Sequence, residues 1–448
     1  LAPRWIGRCP VCEQWNTLVE EASGPAAGRP AAGLSETRGS PPRPVAEVEA
    51  DQAAGAPTGV GEFDRVLGGG LVPGSVTLIG GEPGIGKSTL VLQVAASVAR
   101  QGRRCLVVSA EESAAQVRGR ADRLGALVDG VWLAAETSIP AILAAVQDVD
   151  PDVLIVDSIQ TVSDPDLESG AGSVAQVRGC AQRLVAEAKA GGPAIILLGH
   201  VTKEGALAGP RVLEHLVDTV LSFDGDRHHA LRLLRAVKHR FGPVGELGLF
   251  EMTGAGLCGV AEPGALFLAD RRVGSPGSVV FAAMEGQRPL LVEIQALVVS
   301  TSAVSPRRSA TGFDSSRLAV LLAVLDRRAG LSLSGHEVFL SVAGGIRVSD
   351  PGADLAVCMA LASAATNRPV DGDAVFVGEI GLGGEIRQVA HTPRRLAEAA
   401  RLGFGQAVVS TELPGSHGLQ VHSVSDLSGV LDGHLRQPAR APRLRLVQ

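Results

Sequence analysis

The sequence predicts an α/β chain, a mainly parallel sheet followed by a smaller α+β domain, and three observations predict it. Four short β-branched runs, Ser75–Ile79, Cys105–Ser109, Val153–Asp157 and Ala194–Leu198, are separated by segments of helical length, the rhythm of parallel strands with crossover helices. A glycine-rich stretch joins the first run to an amphipathic one, Thr89 to Ala99, so strand, loop and helix follow directly. After about residue 265 the rhythm changes to strands near 278–283, 290–299 and 336–343 with helices near 314–329, 351–365 and 393–403. At 448 residues, 45% hydrophobic and 20% charged, the chain suits two globular domains plus linker better than one.

Taken in order, residues 1–22 hold Trp5, Cys9-Pro-Val-Cys12 and Trp15, a turn-rich unit too short to bury a core of its own. Cys9 and Cys12 offer two thiolates from one turn, whereas tetrahedral zinc takes four ligands and no second pair or nearby His follows. Either the other ligands lie upstream of Leu1, since a start without Met reads as the inside of a longer protein, or the two are unmetallated thiols. Residues 23–46, rich in Pro, Gly and Ala, read as a flexible linker. Cys105, Cys180, Cys258 and Cys358 stand singly among apolar residues and are expected in cores, so no disulfide framework is implied.

A net charge of −6 excludes a protein coated in positive charge, leaving room for a locally basic groove or pore. No secretory pattern or uncharged apolar run of about 18 residues occurs, so no membrane partner and a cytoplasmic location are expected. Lys87, Lys189, Lys203 and Lys238 are the only four lysines against 37 arginines. Where Arg serves as the generic cation, lysine is left mainly where an ammonium itself is wanted.

Gly81-Glu82-Pro83-Gly84-Ile85-Gly86-Lys87-Ser88, with Thr89 next, is a P-loop in the strand, loop and helix setting that it requires. Its glycines let N–H groups converge on phosphates, Lys87 reaches the β- and γ-phosphates of ATP, and Ser88 coordinates Mg²⁺. Asp157 closes the run Val153–Asp157 at the sheet edge where a carboxylate holds the metal or its water. Glu111 and Glu112 follow the run ending at Ser109; Glu111 is the choice to orient attacking water, a solvated helix-start carboxylate the alternative. His200 follows the run Ala194–Leu198, placed to sense the γ-phosphate or simply to hydrogen-bond within its loop. The segments 163–178 and 202–211 read as loops carrying Arg178, Lys203 and Arg211, cations that would line the centre of a ring and grip a nucleic-acid backbone. Lys238 and Arg240 sit on a short basic turn after a strand Ala230 to Val237, either reaching the ATP of an adjacent subunit or lying as solvated charge.

Cys9-Pro-Val-Cys12 with Gln14-Trp-Asn-Thr-Leu-Val-Glu-Glu21, Gly80 to Leu90, Glu111-Glu-Ser113, Gly199-His-Val-Thr-Lys-Glu-Gly205 and Lys238-His-Arg-Phe-Gly242, in that order, resemble the bacterial RadA/Sms family of DNA repair proteins over essentially the whole chain. The resemblance implies an N-terminal zinc finger, a RecA-like ATPase core and a C-terminal domain similar to that of Lon proteases. It further implies a homo-hexameric ring that moves on single-stranded and branched DNA, drives branch migration in homologous recombination and works with the RecA recombinase. The implied division is 1–22 partial zinc finger, 23–46 linker, 47–268 ATPase, 269–435 Lon-protease-like domain and 436–448 basic tail.

This chain departs from the family pattern in three places. Only one of the family's two Cys-x-x-Cys pairs is present, His239 replaces the Asn usual between Lys238 and Arg240, and Ala353 stands where Lon carries its nucleophilic Ser. No lysine follows Lys238, so the Ser–Lys dyad of a Lon-type protease is excluded and a structural, ring-forming or DNA-contacting role remains for this domain. Arg307, Arg308 and the tail from Arg436 to Arg445 assist DNA contact or are solubilising charge. Two rival readings stay open: a RecA-like recombinase that forms filaments, and an ATP-switched platform that binds partners without moving on DNA.

Overall fold

The computed structural model describes residues 44, 54–200, 211–225, 231–411 and 418–435, with backbone alone at 200, 211 and 212. Residues from 54 onward belong to one compact unit containing two large sheets. In chain order the first part runs α1 (Gly61–Val66), β1 (Val76–Gly81), α2 (Lys87–Arg100), β2 (Cys105–Ser109), α3 (Ala114–Arg123), β3 (Val131–Ala135), α4 (Ile139–Val149), β4 (Val153–Asp157), α5 (Val174–Lys189), β5 (Ala194–His200), α6 (Arg211–Leu216), β6 (Thr219–Asp224), β7 (Leu231–His239), β8 (Leu247–Thr253), β9 (Gly256–Gly259) and α7 (Pro263–Leu268). Its sheet has the order β3-β2-β4-β5-β1-β6-β7-β8-β9, parallel through β6 and antiparallel beyond.

Every residue of β1 and β2 is buried because helices cover both faces, which is why these strands read as continuous apolar runs. Strand alternation divides the core in two. Ile79, Val107, Ile155 and Ile196 pack against Leu90, Val94 and Val98 of α2. Leu78, Val108, Leu154 and Leu197 face Ile139 and Ile142 of α4 and Val177 and Leu184 of α5.

The second part runs β10 (Ser278–Glu285), β11 (Arg288–Ser300), β12 (Arg308–Thr311), α8 (Ser315–Ala329), β13 (His336–Val342), α9 (Asp354–Thr366), β14 (Ala374–Val377), β15 (Glu379–Ile380), β16 (Ile386–Arg387), α10 (Thr392–Arg401), β17 (Gln406–Val409), β18 (Gln420–Ser423) and α11 (Leu427–His434). Its larger sheet has the order β12-β13-β11-β10-β14-β17-β18. The Ala-rich α9 is buried along most of its length. Buried Asp354 at its head is held by Arg317 and by the N–H of Ile380 at 3.1 Å. Ala353, where the resemblance puts the nucleophile of Lon, is fully buried and carries no polar group.

The two parts share packing. Leu247 and Leu249 of β8 belong to the second core. Glu62 of α1 meets Arg288 of β11 at 2.5 Å and accepts the N–H of Leu249 at 2.9 Å, while Arg288 also donates to Leu247 O and Ala261 O at 3.1 and 2.9 Å. Both charges are almost fully buried, so each needs the other.

Three expectations are corrected. Lys238 lies within β7 rather than on a turn after it, because the β6–β7 ladder continues through Val220↔Lys238 and Thr219↔His239. Arg178 lies in a helix rather than a loop: Ser173 caps α5 by accepting from Gln176 N, and Gln176 ties the preceding segment down through Asp164 O, Leu167 O and Ser169 O. Cys258 is exposed on β9, since both Cys258 and Gly259 at the end of this edge strand are exposed, whereas Cys105, Cys180 and Cys358 are buried. Burial pushes the thiols of Cys105 and Cys180 up to about 12 and about 11. No helix among the described residues is long and apolar enough to cross a membrane.

Candidate active site

The loop Gly81–Gly86 turns from β1 into α2 at the C-terminal edge of the parallel strands. Two of its glycines are required by shape. A Cβ at Gly81 would lie 2.4 Å from the Phe223 carbonyl oxygen, and Gly86, at φ +118°, would put one 2.7 Å from Met252 Cε. Glu82, Pro83 and Gly84 are exposed, Gly84 also at positive φ, Ile85 is buried, and Ser88 and Thr89 are half-buried on the first turn of α2.

The Lys87 side chain folds back over this loop, its ammonium donating to the carbonyl oxygens of Gly81 and Glu82 at 2.8 and 3.0 Å. Burial pushes its pKa below the usual lysine value, and the charges of Asp157 and Glu111 oppose that. Lys87, Asp157 and Glu111 therefore share one space, although they come from three different strand ends.

Asp157 is brought there by register: it pairs with Ser109 across β2–β4. It accepts a hydrogen bond from Ser88, so hydroxyl and carboxylate stand side by side, a fit for a hard cation that shares its remaining ligands with phosphate and water. Burial raises its pKa, the Ser88 bond lowers it, and the neighbouring carboxylates Glu111 and Glu112 raise it. A carboxylate held by burial and by like charges is one that a cation would relieve.

The adjacent glutamates diverge. Glu112 is paired with Arg120 of α3 at 2.5 Å, with its backbone held by the Ser109 hydroxyl. Glu111 faces the loop and accepts from the hydroxyl of Ser158, the residue after Asp157. His200 ends β5 in register with Gly81, so its backbone lies beside the loop. Lys203, Cys9 and Cys12 lie outside the described residues; Arg211 begins α6 with its backbone alone described, and Arg178 is exposed on α5. Among the described residues no group of three or more His, Cys, Asp or Glu is arranged to hold a metal ion.

Lys238 and Arg240 are not part of this site. They lie near the opposite edge of the sheet, where His239 pairs with Thr219 and Thr219 with Thr77 at the start of β1. Lys238 donates to the carbonyl oxygens of Glu214 and Val217 at 2.6 and 2.8 Å, capping α6, and Arg240 meets Asp218 at 2.9 Å. Five residues of β1, roughly 16 Å, separate this edge from the loop, so neither cation reaches the glycine-rich loop of its own chain.

Two residues that support the loop went unnoticed in the sequence. Ser158 orients Glu111, and buried Arg232 on β7 donates to Ile85 O at 3.0 Å, bracing the loop from behind. An arginine at an alternating strand position gives no signal of a contact to a residue 147 positions away.

A family model described as an AAA domain matches residues 41–206. The chain is 46% identical over 436 residues to the DNA repair protein RadA of Bacillus subtilis, covering 96% of this chain and 95% of that protein. It is 49% identical over 416 residues to that of Brucella abortus, covering 91% and 88%, and 45% identical over 439 residues to that of Streptococcus pyogenes serotype M1, covering 96% of each.

Proposed function

This chain belongs to the RadA family of DNA repair proteins, and we propose that it is a DNA-dependent ATPase working as a homo-hexameric ring on single-stranded DNA, promoting branch migration during recombination alongside a RecA-type recombinase. The observation that carries the ATPase reading is the convergence of Lys87, Ser88, Asp157 and Glu111 on one loop from three strand ends. Residues 81–89 hold the triphosphate, with Lys87 transferred from the loop carbonyls to the β- and γ-phosphates. Ser88 and Asp157 hold Mg²⁺, which supplies charge neutralisation on the phosphates. Glu111, aimed by Ser158, orients the attacking water, and His200 carries the state of the γ-phosphate to the segment after β5.

Lys238 and Arg240 act in trans on a neighbour's nucleotide, a reading supported by their place at the far end of the sheet from their own chain's loop. Arg178, Lys203 and Arg211 contact the DNA backbone, without base selection, since no aromatic residue accompanies them. We keep 269–435 as a Lon-protease-like assembly domain, and Cys9 with Cys12 as half of a zinc site.

The test is steady-state ATP hydrolysis with and without single-stranded DNA at two salt concentrations, with Lys87→Ala as blank. Stimulation that weakens with salt and disappears in the variant supports the reading. Turnover indifferent to DNA, with the blank dead, leaves an ATPase and removes the DNA motor in favour of an ATP-switched partner platform.

A further inference from the structure

Asp218, in the turn between α6 and β6, is 2% exposed yet meets two cations that are each 51% exposed. Its Oδ1 takes Arg240 Nη1 at 2.9 Å and Lys189 Nζ at 3.4 Å, and its Oδ2 accepts the N–H of Val76, the first residue of β1, at 3.1 Å. Lys238, nearby, is bonded to the carbonyl oxygens of α6. We propose that Asp218 and Lys189 are positioning residues that hold Arg240 in reserve and set how readily it leaves its own chain for the γ-phosphate of a neighbouring subunit's ATP. This rests on the reading of Arg240 as acting in trans.

The exchange takes place at a single oxygen, Oδ1 of Asp218. A buried carboxylate stripped of its counter-ion is costly, so an arginine held by one alone would be slow to leave. Lys189 stands on the same oxygen at the longer distance, with half its side chain in solvent, free to close in as Arg240 departs. The Val76 bond on the other oxygen stays throughout. Lysine suits this part: its ammonium is a mobile point charge, whereas an arginine would seize the carboxylate with a planar fork. It is also one of only four lysines in a chain with 37 arginines.

The experiment measures kcat and KM for ATP, with and without oligo-dT, in the full-length protein and in Lys189→Met, Lys189→Arg, Asp218→Asn and Arg240→Ala. Without Lys189 the release of Arg240 strands Asp218, so Lys189→Met is expected to lower kcat about three- to fivefold with KM within twofold. Lys189→Arg and Asp218→Asn free Arg240 and raise the DNA-free kcat by a similar factor, and in the Asp218→Asn background Lys189→Met has no further effect. If Lys189→Met and Asp218→Asn both lower kcat and their effects add, the cluster is only a brace and the proposal is overturned. Should Asp218→Asn fail to fold, the half-exposed Lys189 variants still decide between the two: a lowered kcat in both is the brace, opposite changes are the reserve. If Arg240→Ala turns over at the parent rate, the trans reading itself has failed; if it is inactive while the other variants behave as a brace, only this proposal has.

Discussion

Asp157 and Asp218 close the two ends of one sheet with opposite charge balances. Asp157, at the phosphate-loop edge, has Glu111 and Glu112 beside it, and burial together with those charges holds its pKa above the usual carboxylate range. Asp218, at the other edge, is met by Lys189 and Arg240. One edge gathers three carboxylates around Lys87 and suits a divalent cation; the other gathers Lys189 and Arg240 around a single carboxylate and suits a further anion. Copies of such a sheet set edge to edge would each supply what the other lacks.

The largest expected effect is on the cationic edge. Arg240→Ala should lower kcat by about 10³-fold, the scale of a lost arginine finger, with nucleotide binding retained. Mixing it with Lys87→Ala protein should recover part of the turnover, because each subunit then offers the neighbour its intact half. No recovery in a titration of the two would place both edges in the service of one chain. Next is Glu111→Gln, which keeps an acceptor for Ser158 and should lower kcat by about 10²-fold with little change in ATP affinity, read by single-turnover hydrolysis.

Asp157→Asn should raise Tm by about 2–4 °C at neutral pH. The sign follows from linkage. A carboxyl whose folded pKa is raised binds its proton more tightly in the folded state, so the folded protein loses stability as pH rises through the range between the unfolded and folded pKa values. Asn removes that loss above the folded pKa and gains nothing below the unfolded one. Thermal melts at neutral and acid pH should therefore converge toward the acid side; a parent more stable than the variant at neutral pH would mean that Asp157 is already compensated. The smallest effect is expected from His239→Asn, the residue usual in the family. The His239 ring has a hydrogen bond with Thr219 at 3.1 Å and an edge-to-face contact with Phe241, with Nε2 buried and without a hydrogen-bond partner. Turnover within about twofold and a Tm lowered by about 2 °C would fit loss of packing alone.

How much of this was legible differs between the same two edges. The strands Cys105–Ser109 and Val153–Asp157 have the bounds their apolar runs predict, and Lys87, Ser88, Asp157 and Glu111 were readable because each sits at a strand end or in a loop with a local signature. The cationic edge has no such signature. Asp218 reaches Val76 across 142 positions because β6 is inserted beside β1, and only the topology brings α5's last residue, Lys189, to the same carboxylate. Lys238 was misplaced onto a turn for a related reason: Lys, His and Arg in succession look like solvent-facing chain, whereas the β6–β7 ladder and α6 absorb the first two.

The Glu62–Arg288 pair bears on how this protein can be cut. A fragment ending at residue 268 keeps Glu62 and loses Arg288, so a carboxylate that is 5% exposed in the intact chain loses its charge partner. It also uncovers Leu247 and Leu249, which belong to the core of the part removed. Poor behaviour of such a fragment would then report on the cut rather than on the ATPase. The remedy is local: Glu62→Gln, which can still accept from Leu249 N, with polar residues at 247 and 249.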